Sequence, residues 1–136
     1  GLRMQRQCDN ALELARFLQS LGGDIEVNYP GLEESPYHEI AKKQFRNGYG
    51  AIVTVRTGSK EKAFSIINSL KIPLIISNIG DTKTLVIHPE STIAAHISDE
   101  EKQQSGVFED LIRISVGIED IEDLKEDFKQ AIESNR

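Results

Sequence analysis

Apolar positions recur at helical spacing over Leu2–Leu21, where Cys8, Leu12, Ala15 and Leu18 form a stripe with Ala11 and Leu14 beside it. Gly22-Gly23 ends this helix, and no capping residue opens it, as expected of a cut through a longer element. Leu14, Phe17 and Leu21 carry apolar surface beyond the main stripe, which suits a helix bridging two domains. A short strand over Asp24–Asn28 turns at Tyr29-Pro30-Gly31. Ser35-Pro36, a capping hydroxyl followed by proline, then predicts a helix over Pro36–Arg46 that buries Tyr37, Ile40, Ala41 and Phe45.

The β-branched run Ala51–Arg56 predicts a strand with Ile52 and Thr54 on one face and Val53 and Val55 on the other. Ser59 caps a helix over Lys60–Leu70 with a stripe of Ala63, Phe64, Ile66, Ile67 and Leu70, broken at Lys71-Ile72-Pro73. Leu74–Ser77 reads as a buried strand, Asn78–Asp81 as a turn, and Thr84–His88 as a strand closed by Pro89. Ser98 with Glu101 is a capping box for a short helix ending at Gly106. Leu111–Gly117 alternates, so Ile112, Ile114 and Val116 share one face while Arg113, Ser115 and Gly117 share the other. Asp120 caps a last helix whose apolar side is Ile121, Leu124, Phe128, Ala131 and Ile132, and whose acidic side is expected to be solvated. Helices alternating with strands would by pattern alone suggest parallel βαβ units.

Length and composition narrow the class. The 136 residues, 38% hydrophobic and 28% charged, fit one globular domain rather than a disordered chain. A net charge of −6 with no basic stripe argues against a nucleic-acid partner. No apolar run reaches spanning length, so no membrane partner is expected. The single cysteine, Cys8, allows no disulfide framework and points to a reducing, cytoplasmic setting; it reads as a core helix residue rather than a nucleophile. His38 reads as a solvated or capping residue, His88 as structural, and no metal site is expected.

Several stretches carry a resemblance. They are L-R-M-x-R-x-x-x-N-A-L-x-L-A-x-F-L near the start, V-x-Y-P-G-L-x-x-x-P-Y-H-E-I-A-K-K-Q-F in the middle, HPxST, and D-L-I-R-x-S-V-G-I-E-D. Together they resemble the C-terminal domain of the Cys/Met-metabolism enzymes that use pyridoxal phosphate. The resemblance implies an α+β fold: a small, mostly antiparallel sheet with helices on one face, as in the C-terminal domain of fold-type I enzymes. Residues 1–22 would be an interdomain helix and 23–136 the substrate-side domain. The N-terminal domain that binds pyridoxal phosphate, its Schiff-base lysine included, would lie outside this chain, which is therefore expected to hold no catalytic residue, to bind no cofactor covalently and to be inactive alone. The S-N-I-G-D turn matches the O-acetylhomoserine sulfhydrylase branch, a cytoplasmic homotetramer acting on a small amino acid. The γ-synthase and γ-lyase branches are the enzymatic alternatives, and a free-standing amino-acid-binding module is the non-enzymatic one.

The resemblance also implies site residues. Arg113 would clamp a substrate α-carboxylate, since a guanidinium presents a rigid fork of donors; a strand arginine in an ordinary surface ion pair is the plainer reading. Ser77 and Asn78 would line the same pocket, although Ser77 could simply satisfy a tight turn. Thr92 is the remaining candidate, in a loop that departs from the family by placing Ile93 and Ala94 where a threonine and a histidine are usual.

Overall fold

A computed structural model describes residues 1–136. The elements in chain order are α1 (Leu2–Leu21), β1 (Glu26–Asn28), α2 (His38–Gln44), β2 (Ile52–Arg56), α3 (Lys60–Ser69), β3 (Leu74–Ile75), β4 (Leu85–Ile87), a 3-10 turn (Pro89–Ser91), α4 (Asp99–Gln104), β5 (Leu111–Ser115) and α5 (Ile121–Glu133). The strands form one sheet in the order β1-β2-β5-β4-β3. All pairs are antiparallel except β3 with β4. The parallel pattern that alternation alone suggested is thus confined to one edge, and the α+β expectation holds.

Alternation decides which sheet face is covered. Val53 and Val55 of β2, Val86 of β4, and Ile112 and Ile114 of β5 point to the side on which α1, α3 and α5 lie. Ala11, Leu14, Ala15 and Leu18 of α1, Ile66 and Ile67 of α3, and Leu124, Phe128 and Ile132 of α5 complete a single core with them. Each large side chain so buried contributes on the order of 2 kcal/mol. Leu14 belongs to this core, whereas Phe17 and Leu21 are half-buried, so the apolar surface that α1 leaves exposed is at Leu2 and Met4.

Three expectations change. Ser35 does cap a turn, its hydroxyl accepting from the Tyr37 amide, but α2 starts only at His38 and buries only Ala41. Tyr37, Ile40 and Phe45 are exposed because α2 lies outside the helical layer that covers the sheet. Strand β3 is two residues long and exposed rather than buried, being an edge strand paired on one side only. The acidic side of α5 is not solvated throughout. Asp127 is buried and accepts from the amides of Lys71, at 3.0 Å, and Ile72, at 2.8 Å, which closes the chain leaving α3.

Between β4 and β5 the chain forms a rim held largely by polar contacts. His88 is buried; its Nε2 donates to the Glu109 carbonyl at 2.6 Å, which leaves Nδ1 to accept from the Ser91 hydroxyl at 2.8 Å. Phe64 of α3 stacks on this ring with centroids 4.6 Å apart. Glu90 accepts from Lys60 of α3 at 2.8 Å and from Lys102 of α4 at 3.0 Å. Those two bonds hold its carboxyl at about 2, well below the usual carboxylate range.

Two outcomes are expected for stability. Asp127→Ala strands two partly buried amides and should cost about 1–3 kcal/mol in urea unfolding, with Asp127→Asn milder because it keeps an acceptor. Glu90 has a depressed folded pKa, so its contribution is complete above the unfolded carboxyl value and disappears as pH falls toward 2. Thermal melts from pH 5 to pH 2 should therefore show a smaller acid loss for Glu90→Gln than for the parent chain; identical slopes would remove the clamp.

Candidate functional site

The sheet face opposite the helical layer carries Arg113. Cross-strand register places it between Thr54 of β2 and Ile87 of β4, on the central strand of the sheet. A groove of about 770 Å³ runs over this face, with Thr54, Arg56, Leu111 and Arg113 on its floor. Ser35–Tyr37 form one wall, and Ser105–Phe108 with Pro89 and Ile93 form the other. Arg56 is already engaged: it pairs with buried Asp110 at 3.0 Å and lies 4.0 Å from the centre of the Phe108 ring. Arg113 is half-buried and takes part in none of the ion pairs of the chain. Its one hydrogen bond is a long 3.4 Å donation from Nη2 to the Asn78 carbonyl. Most of its donors are therefore free to face the groove.

The turn beyond Asn78 is tied to the same strand. Ser115, buried on the Arg113 side, accepts from the Gly80 amide at 3.2 Å, and Gln7 of α1 donates to the Asp81 carbonyl at 2.6 Å. Asn78 uses its own Oδ1 to cap the Ile79 amide, and its carbonyl reaches Arg113. Ser77 is exposed at the start of this turn. Thr92 is exposed and spends its hydroxyl on the His88 carbonyl at 2.7 Å. The structure thus brings Asn78 to Arg113, sets Ser77 beside that turn, and leaves Thr92 outside the groove, where its neighbour Ile93 is a wall residue.

The end of the arginine strand is fixed from below. Asn10 of α1 donates to the carbonyls of Gly117, at 3.1 Å, and Glu119, at 2.8 Å. The Glu119 carboxylate accepts from the amide and hydroxyl of Thr84, both at 2.8 Å, and that hydroxyl accepts from the Gly117 amide at 2.9 Å. A side chain at position 117 would collide with the Thr82 carbonyl, so glycine is required there by close approach. Sequence reading missed Gln7, Asn10 and Ser115. The signal for the first two was present, because polar residues at 7 and 10 fall on the same helix face as Leu14.

No lysine lines the groove, and the nine lysines of the chain lie on α2, α3, α4 and α5 or in the segments next to α3 and β4. Arg113 offers a place for an anionic group, Glu26 and Glu34 also line the groove, and no amine is there to capture a carbonyl cofactor.

The family model for the Cys/Met metabolism PLP-dependent enzymes matches residues 1–133. Homocysteine synthase of Schizosaccharomyces pombe is 44% identical over 98% of the chain, and O-acetyl-L-homoserine sulfhydrylase 1 of Thermus thermophilus is 42% identical over 97%. The chain spans about a third of the length of each, 31% and 32%. Among solved structures, one named as an O-acetylhomoserine (thiol)-lyase of Campylobacter jejuni, carrying N′-pyridoxyl-lysine-5′-monophosphate, superposes with a TM-score of 0.93 at 39% identity. It covers 97% of this chain and 32% of that one. An O-acetylhomoserine sulfhydrylase of Wolinella succinogenes, described in methionine biosynthesis, gives 0.80 at 41% identity, covering 96% and 34%. With its matching motifs, its sheet and its unpaired strand arginine, the chain belongs to the Cys/Met-metabolism family of PLP-dependent enzymes.

Proposed function

We propose that this chain is the substrate-side domain of a longer O-acetylhomoserine sulfhydrylase, and that Arg113 holds the substrate α-carboxylate. The intact enzyme would replace the acetate of O-acetyl-L-homoserine by sulfide or methanethiol at the γ-carbon. The observation that carries this reading is a half-buried guanidinium on the central strand, at a groove, with no carboxylate partner. A guanidinium so placed is a poor structural device, since burying it without a counter-ion costs free energy. It becomes favourable when a carboxylate arrives.

The fork of Arg113 would fix the plane of that carboxylate, and with it the direction of the substrate Cα–H bond. Asn78 would share the work through its carbonyl, which restrains one edge of the guanidinium and leaves the other donors to the substrate. Ser77, in the same turn, would donate from the pocket edge. Thr92 has its hydroxyl bound to backbone and would contribute only by shaping the loop. Pyridoxal phosphate is the electron sink of this family's chemistry, and the amine that captures it would come from elsewhere in the longer protein, because no lysine faces this groove.

In the full-length enzyme, Arg113→Ala should lower kcat/KM by on the order of a hundredfold, about 3 kcal/mol, while the cofactor absorbance is retained. Arg113→Lys should recover little, because charge without the fork restores attraction but not orientation. Steady-state kinetics on O-acetylhomoserine decide the matter: a loss below about threefold for both variants would mark Arg113 as a surface arginine and end this reading.

A further inference from the structure

The second wall of the groove is held in an unusual way. Helix α4 contributes no buried residue, and the segment that follows it, Ser105–Phe108, forms the wall facing Arg113. Apolar packing is therefore not what fixes this helix in place. Its best-covered side chain is Lys102, only 12% exposed, and the Lys102 ammonium is bound by Glu90 at 3.0 Å. The same carboxylate, 17% exposed, takes Lys60 at 2.8 Å, and Lys60 opens α3 on the helical side of the fold. Glu90 thus joins three elements: α3, the 3-10 turn after β4, and α4. Lys102 in turn accepts the Val107 amide on its carbonyl at 2.8 Å, so the position of Lys102 is passed directly to a wall residue. The lowered pKa of Glu90, about 2, agrees with a carboxylate that is ionised and doubly bound. At its far end the segment is held separately, by Arg56 against Phe108 and Asp110 and by His88 on the Glu109 carbonyl.

We propose that Glu90 is a positioning residue for substrate binding, a latch that sets α4 and Ser105–Phe108 at the depth where they wall the Arg113 groove. This rests on the groove being the substrate site. Glu90 itself does not line the groove. Its effect should therefore appear as weaker binding, with chemistry after binding left intact. Without the latch the wall stays tethered at its far end and swings at the α4 end, so the groove is wider for part of the time and substrate is held less well.

The test uses the full-length enzyme with its cofactor bound. Glu90→Ala should raise KM for O-acetylhomoserine by about fivefold or more with kcat within about twofold, and Lys102→Gln should do the same. The double variant should be no worse than Glu90→Ala alone, because the Lys102 contact is already lost in that variant. Amide exchange should rise by about tenfold or more in residues 99–108 and stay unchanged in β2 and β5. Glu90→Ala leaving KM unchanged while Arg113→Ala cripples binding would overturn the latch alone. So would exchange that rises throughout the core, or a fall in kcat without a change in KM, since either marks a general structural role. If Arg113→Ala is itself without effect, the reading of the groove has failed and the latch falls with it.

Discussion

The amide of Asn10 is the contact on which the placement of the site depends. It reaches from the first helix to two carbonyls, those of Gly117 and Glu119, at the point where β5 stops being a strand. A strand end inside a protein leaves carbonyls without ladder partners, and each costs free energy unless something donates to it. Asn10 meets that requirement while joining the helical layer to the sheet. Glu119, its backbone held by Asn10, directs its carboxylate at Thr84, and Thr84 returns a hydroxyl oxygen to the Gly117 amide. The closed loop of bonds locks the start of β4 to the end of β5. Arg113 lies four residues before Gly117 on that strand, paired on one side with Thr54 and on the other with Ile87. Its height above the sheet is thus set by backbone pairing and a polar lock, with little left to side-chain freedom.

Two kinds of force divide the molecule. The covered face is held by apolar burial, which is non-directional and tolerates small shifts. The rim around the open face is held by charge and hydrogen bonds: Glu90 between two lysines, His88 between a hydroxyl and a carbonyl, Arg56 between Asp110 and Phe108. Such contacts are directional, and they yield locally without unfolding the core. The floor of the groove is thus set by paired strands, and its rim by directional polar contacts.

The sequence showed most clearly those elements whose own residues determine them. Helices α1, α3 and α5 have sustained stripes, and Ser59, Ser98 and Asp120 do cap helices as their spacing suggests. Strand β5 was legible because alternation puts one charged residue among branched apolar ones. Helix α2 misled because Tyr37, Ile40 and Phe45 have the spacing of a buried face, yet no partner within this chain covers them. Strand β3 misled for a related reason: an apolar run says nothing about whether it lies at the centre or the edge of a sheet. Asp127 was lost in an acidic run, since its burial depends on Lys71 and Ile72 arriving from a different helix end. Glu90 gave no signal at all, because Lys60 and Lys102 lie 30 residues before and 12 after it and their convergence exists only in the fold.

The site itself was half legible. Arg113 could be singled out because alternation assigned it to the face opposite Ile112 and Ile114, and the register confirms that face as the one away from the helices. What no local pattern could supply was the charge balance around it. Arg56 lies on the same floor, two residues beyond the Thr54 that pairs with Arg113, and is equally a strand arginine. The difference between them is tertiary: Arg56 has Asp110 at 3.0 Å, and Arg113 has only a distant carbonyl. One arginine is thereby an ion-paired brace, and the other has no carboxylate partner. The distinction follows from which strand end delivers a carboxylate. Asp110 immediately precedes β5 and lands beside Arg56, and no acidic residue of the fold reaches the next rung. The rung of Arg113 is thus left without an internal counter-ion, and the antiparallel register of β2 with β5 is what leaves it so.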